Sequence, residues 1–185
     1  MEPLPLHEWE NSLQHIIDDM GGRPLNFHAL MANHPAALDA WWNLRNYLVN
    51  GGDLEQRSCE LVILRVAVHM RSWYEWASHV VRGLDSGLTP SEIESVLTGE
   101  GDWGNADAIL LDAVDEISQN NALGAATRDR LAGHYTDRQV MDVMLLYGMY
   151  RTIGCMIATW GLDLDEHVSA RLPEGTSEDN FAVPA

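Results

Sequence analysis

Apolar residues along this chain recur at intervals of three and four, the spacing of amphipathic helices. Leu6 to Met20 predicts a first helix with Trp9, Leu13, Ile16 and Ile17 on one stripe, stopped by Gly21-Gly22-Arg23-Pro24. A short turn of structure spans Asn26 to Met31. Asn33-His34-Pro35 then opens a helix running to about Val49, with Leu38, Trp41, Trp42 and Leu48 towards a core and Asn50-Gly51-Gly52-Asp53 as its end. The apolar run from Glu60 to Met70 is too long for a typical strand and holds no breaker, so it predicts a mostly buried helix. Arg71-Ser72 marks a joint before WYEWASHVVRGL, which again has helical spacing. Thr89 as N-cap and Pro90 in the first position start a short helix ending near Leu97. Asn105 to Ser118, about Ala125 to His134, and Asp137 to Trp160 predict three more. No segment alternates as a strand does.

The pattern therefore predicts an all-α bundle in a single domain over residues 1–172. Within it, 1–53 form an N-terminal helical extension and 54–86 the central helices, and 173–185 form a polar tail expected to be poorly ordered. One weak internal echo stands out: an acid precedes four apolar residues both at Glu60 and at Asp142. Either a duplicated helical unit or two similar buried helices would produce it.

Charge and composition narrow the function. Acids outnumber bases 28 to 11, for a net charge of −17, and all eleven basic residues are Arg. A chain with no basic face to spare is a poor binder of nucleic acid, and one without lysine has no amine for Schiff-base chemistry. Charges interrupt the apolar stretches before the ~18–20 residues a bilayer needs, and the first ten residues hold acids and prolines in place of a basic leader. No membrane association is expected, and the expected location is the cytoplasm. The two cysteines, Cys59 and Cys155, lie far apart in no metal-like spacing and read as core thiols.

Candidate chemistry centres on one helix. Ser72, Glu75 and His79 stand at i, i+3 and i+7, on one face. Trp73, Tyr74 and Trp76 around Glu75 would strip water from its carboxylate and raise its pKa, fitting it for proton transfer. Glu60 opens the preceding apolar helix and needs either solvent or a partner; if the two helices pack, it meets His79. The plainer readings are an exposed Glu75–His79 pair and an acid at Glu60 that favours the helix dipole. His69 precedes Trp73 by four residues. His69, Glu75, His79 and Glu60 have ligand chemistry but no dedicated metal spacing, and no metal is expected. His7, His15, His28, His34, His134 and His167 carry no readable signal. Trp41, Trp42, Trp73, Trp76 and Trp160 would either line a pocket for a cyclic substrate or fill the core and a subunit interface, the second suiting most of them.

Glu60-Leu61-Val62-Ile63-Leu64-Arg65-Val66-Ala67, Tyr74-Glu75-Trp76 and His79 together resemble the central motif of the carboxymuconolactone decarboxylase and AhpD-like superfamily. Gly21 to Asn26, His34-Pro35, Gly87-Leu88-Thr89 and Leu145 to Gly161 resemble landmarks of its longer members. The resemblance implies an AhpD-like all-helical bundle that assembles with copies of itself, as a trimer or hexamer. In the peroxidase branch the motif is a glutamate, a Cys-x-x-Cys pair and a histidine. Glu60 and His79 match in spacing, but Ser72 and Glu75 occupy the cysteine positions, so the peroxidatic thiolate and its resolving partner are missing.

What remains is proton chemistry without a cofactor. The expectation is a lyase that decarboxylates or isomerises a small cyclic or aromatic-derived carboxylic acid or lactone. Glu75 or His79 would deliver the proton, Glu60 would orient His79, and Tyr74 or one of Arg71 and Arg151 would hold the oxyanion or carboxylate. Ser72 and Trp76 complete the expected substrate-binding set. The alternatives are a non-catalytic oligomeric scaffold or binding module that has lost the thiol site, and a peroxidase acting through Cys59 or Cys155.

Overall fold

The computed structural model describes residues 1–181, so residues 182–185 of the expected tail lie outside the described residues. Among the described residues there are ten α-helices and no strand. They run α1 (Gln14–Asp19), α2 (Asn26–Met31), α3 (Pro35–Asn46), α4 (Gln56–Met70), α5 (Trp73–Asp85), α6 (Pro90–Thr98), α7 (Asn105–Asn120), α8 (Ala125–Leu131), α9 (Asp137–Trp160) and α10 (Glu166–Ser169).

The central axis is α4, which packs against α5, α6, α7 and α9. Its residues Leu61 to Leu64 are fully enclosed. That enclosure explains why the stretch is apolar all round, since a helix with neighbours on every side has no face for water. Around it gather Val80, Leu110, Val114, Leu146 and Ile153. A second apolar cluster, Trp9, Leu13, Ile16, Leu38 and Trp42, is built within the N-terminal extension, and Met31 and Trp41 pack against both this cluster and the main core.

Several boundaries follow the local chemistry. Thr89 accepts from the Glu92 backbone N–H while the Glu92 carboxylate accepts from Thr89, a reciprocal cap at the start of α6. Arg71 takes the left-handed conformation (φ 51°) that ends α4, and Ser72 caps α5. The first predicted helix is broken: 3-10 turns at Leu6–Glu8 and Asn11–Leu13 precede α1. α10 was not foreseen, being too short for its periodicity to register.

Two expectations need revision. α9 is long and apolar enough to cross a bilayer by length and composition, because its charges cluster towards its N-terminal end. In the fold one side of it packs on α4 and buries Asp142, which accepts from the Tyr47 hydroxyl (3.1 Å) and the Asp53 backbone N–H (3.0 Å), while Met141, Met144, Leu145 and Trp160 stay exposed. The segment expected as a polar tail closes with a 3-10 turn, Glu178–Phe181, whose Phe181 ring is buried against Trp73 and Trp76. A single aromatic residue anchors this otherwise polar stretch, which composition averaging hides.

The echo between Glu60 and Asp142 has a shared physical outcome. Both acids are buried, on helices that lie against one another, and each is satisfied by donors from outside its own apolar run.

Candidate functional site

α4 and α5 bring the predicted acids and histidine together. Glu60 has no exposed surface, and Glu75 and His79 are each 5 % exposed. His79 Nδ1 donates to Glu60 Oε2 at 2.6 Å, and Glu60 Oε1 accepts from Gln56 Nε2 (3.0 Å) and Arg82 Nε (3.0 Å). A carboxylate with three donors stays ionised: His79 and Arg82 outweigh the cost of burial and hold the Glu60 carboxyl down at about 2. Because an ionised carboxylate can only accept, the proton on the His79 ring sits on Nδ1 and the lone pair on Nε2. Burial pushes the His79 pKa down despite Glu60, so the ring is neutral. Tyr150 packs against it edge-on, with ring centres 4.9 Å apart.

Glu75 is in a different state. Its Oε2 lies 3.6 Å from His79 Nε2, beyond a hydrogen bond, and no donor reaches it among the described residues. Burial first, and the charge of Glu60 second, raise its pKa to about 8. Two carboxyls on adjacent helices are thus split into a permanent anion and a neutral acid, the division from which acid–base roles arise.

Glu75 and His79 face a cavity of about 290 Å³ between α2, α3, α5, α9 and α10. Its walls include Trp41, Arg45, Ser78, Arg82 and Tyr150. His28 also lines it. The Leu25 backbone N–H donates to His28 Nδ1 (3.2 Å), so the ring's proton lies on Nε2, and burial lowers the pKa to about 3. The wall is fixed by a clasp. The Tyr74 hydroxyl donates to Asp165 Oδ2 (2.6 Å) and accepts from the Phe27 N–H (3.3 Å), while Asp165 Oδ1 accepts from the Asn26 N–H (2.9 Å).

The expected substrate-binding residues divide. Tyr74 lines the cavity, but its hydroxyl is committed to the clasp. Ser72 is turned to its capping task, accepting from the Glu75 N–H. Trp76 points to the other side of α5, against Phe181. Arg71 borders a separate hollow beside Gly154 and Leu162. Arg151 lies over the Tyr147 ring, 5.7 Å from its centre. None of these four lines the cavity. Arg82 had a readable signal, extending the Glu75–His79 face to i+7. Arg45, His28 and Tyr150 come from distant helices and had none. Among the tryptophans only Trp41 lines the cavity.

The cysteines stand apart. Cys59 is buried, its thiol directed at the Leu48 and Leu54 carbonyls, and burial pushes its pKa up to about 12, far from thiolate chemistry. Cys155 is exposed on α9. Among the described residues no group of three or more His, Cys, Asp or Glu side chains is disposed to hold a metal ion.

Residues 35–116 match the carboxymuconolactone decarboxylase family. Comparison with curated protein sequences returns no match. Among solved structures, the fold is similar to an uncharacterised peroxidase-related protein with an alkylhydroperoxidase AhpD core from Ralstonia eutropha JMP134. That pair has a TM-score of 0.82 and 16 % identity, covering 94 % of this chain and 97 % of the other. An uncharacterised peroxidase-related protein from Silicibacter sp. TM1040 is similar at TM-score 0.78 and 16 % identity, over 92 % and 91 %. The debrominase Bmp8 in complex with 2,3,4-tribromopyrrole gives TM-score 0.73 and 12 % identity, over 92 % and 94 %. At such identities the likeness is one of fold. The family match spans the helices that carry Glu60, Glu75 and His79, and the fold is shared over more than nine-tenths of the length. Over residues 35–116 the chain is similar to the carboxymuconolactone decarboxylase family, and its all-helical fold is the one found in the AhpD-like structures.

Proposed function

We propose that this protein is an acid–base enzyme that decarboxylates or isomerises a small cyclic or aromatic-derived carboxylic acid or lactone, using its own side chains. The observation that carries this reading is Glu75: a buried carboxyl held neutral at physiological pH, facing a cavity beside the unprotonated Nε2 of His79. A neutral carboxyl near its own pKa is a competent general acid.

For decarboxylation, the C–C bond to the departing carboxylate breaks and CO2 leaves. The electron pair moves into a conjugated carbonyl of the substrate, and Glu75 delivers its proton to the carbanionic carbon. Water returns that proton to Glu75. For isomerisation, His79 Nε2 removes a proton next to the carbonyl and Glu75 supplies one further along the conjugated system. Glu60 then stabilises the imidazolium through Nδ1, and proton exchange between His79 and Glu75 resets the pair. Tyr150 and Arg82 line the cavity and would donate to the developing oxyanion, a task for which the committed Tyr74 hydroxyl is not free.

The test is a mass-spectrometric screen of γ-carboxy-lactones, β-keto acids and aromatic-derived lactones, scoring CO2 loss and isomerisation together. Glu75→Gln should lower kcat by about 10²–10⁴-fold on any substrate found. Turnover that survives the substitution overturns the assignment of Glu75, and no turnover by the wild type overturns the enzymatic reading. The same reading takes the protein as a homo-oligomer, supported by Met141, Met144, Leu145 and Trp160 exposed on α9. Light scattering after size exclusion measures the state, with a trimer or hexamer expected.

A further inference from the structure

The polar atoms around the cavity are unbalanced. His28 Nε2–H and the Tyr150 hydroxyl have no hydrogen-bond partner among the described residues. Ser78 Oγ is buried without a partner among the described residues, on a residue only 7 % exposed. Arg82 spends its Nε on Glu60 and keeps its terminal nitrogens. Arg45 donates to Asn46 Oδ1 (2.9 Å) and, with the Asn50 amide turned so that both its atoms are satisfied, to Asn50 Oδ1 (3.0 Å); it lies over the Trp42 ring and has no carboxylate in ion-pair distance among the described residues. The wall therefore offers many donors, while His79 Nε2 and the neutral Glu75 supply its chief acceptors.

Charge points the same way. The Arg82 charge is cancelled by Glu60, and Arg171 at the margin is cancelled by Asp85 (2.8 Å). Glu75, His79 and His28 are neutral at pH 7. One guanidinium, that of Arg45, is left uncompensated, in a protein whose net charge is −17. A cation kept unpaired where acids are plentiful suits a ligand that brings the counter-charge.

We propose that Arg45 and His28 form an anchoring subsite for the carboxylate of a planar monoanion, with Trp41 as the apolar wall beside them. His28 lies 5.8 Å from the Trp41 ring and 5.3 Å from the Trp42 ring, centre to centre, and the Arg45 guanidinium stands 5.0 Å from the centre of the Trp42 ring, so both donors border one aromatic shelf on the cavity lining. The anchored group sits on the N-terminal side of the cavity, and the acid and base of α5 meet the rest of the ring. A carboxylate held by a guanidinium is stabilised as an anion, so the group bound there remains on the product: a monoanion anchored this way suits isomerisation, and loss of CO2 would require a second carboxylate on the substrate. This subsite gives the substrate class of the proposed reaction and rests on that reading for its link to catalysis, but not for the binding itself.

Benzoate and its neutral isostere benzamide are the probes, titrated into the full-length protein by calorimetry and by tryptophan fluorescence. Benzoate should bind about tenfold or more tightly than benzamide. Arg45→Met should remove that preference while leaving benzamide unchanged, and Arg45→Lys should restore part of it. Thermal unfolding of each variant, expected to match the wild type, separates lost binding from lost fold. Equal binding of the two probes, benzoate binding indifferent to Arg45, or no binding of benzoate overturns the subsite. Glu75→Gln should still bind benzoate. If it does so yet leaves turnover intact, the acid–base reading fails and the subsite stands; if turnover needs Glu75 but benzoate ignores Arg45, only the subsite fails.

Discussion

α4 carries a carboxylate–imidazole–guanidinium cluster on each of two sides. On one, Glu60 joins His79 and Arg82. On the other, Arg65 holds Asp115 through two nitrogens (2.6 and 2.8 Å) and His69 Nε2 meets the same carboxylate at 2.6 Å. The residue types and contact lengths are nearly the same. What differs is water. Glu60 is fully enclosed beside the cavity, whereas the side chains of Arg65, His69 and Asp115 keep 15 %, 24 % and 27 % of their exposure. At the exposed cluster, the hydrogen bonds of His69 and Arg65 outweigh a partial desolvation and lower the Asp115 pKa, with no second acid to perturb. At the buried one, the same combination holds one carboxylate charged and thereby helps to keep the next, Glu75, protonated. The constellation alone makes an ion pair; burial beside a cavity makes it an acid–base device.

That contrast can be broken most forcefully by removing each carboxylate. Glu60→Ala strands a buried imidazole and guanidinium and should cost about 3–5 kcal/mol. Asp115→Ala strands the same groups within reach of water and should cost about 1–2 kcal/mol. Chemical denaturation measures both, and equal losses would erase the distinction.

The pH dependence of stability sharpens it. Glu75 is raised in the fold from 4.5 to about 8, so unfolding releases its proton between those values. Its contribution is full below about pH 4.5 and is lost as pH rises to 8. Glu60, lowered to about 2, acts oppositely: its contribution is present above about 4.5 and is lost as pH falls towards 2. Glu75→Gln should abolish the decline between pH 5 and 8 and leave the acid limb unchanged, as read from denaturation midpoints across pH. Catalysis by the neutral Glu75 carboxyl should likewise fade above about pH 8. The smallest effect expected is that of His69→Gln, about 0.5–1 kcal/mol with no change in turnover.

Much of this is legible in the amino-acid sequence. Helices α4 to α7 and α9 emerge from apolar spacing because they pack around α4, and packing is what the spacing encodes. The meeting of Glu60 with His79 required only that consecutive helices lie side by side. The cavity was less legible because its far wall comes from α2, α3 and α10, whose contributions of one or two side chains leave no local pattern. Ser72 shows the converse. It precedes Glu75 by three residues, a helix-start signature as much as a substrate contact, and capping is the task the fold gives it.

The clasp of Tyr74, Asp165 and the start of α2 has a consequence for the order of assembly. Its hydrogen bonds join residues separated by 139 and 91 positions. Contacts of that span close late, after local helices and their neighbours have formed. Within the bundle around α4, α5 to α7 are the nearer segments, so a chain emerging from the ribosome can bring Glu60 against His79 before α9 and α10 arrive to complete the cavity. The chamber is completed only when α10 folds back onto the start of α2, so two segments far apart in sequence finish it together.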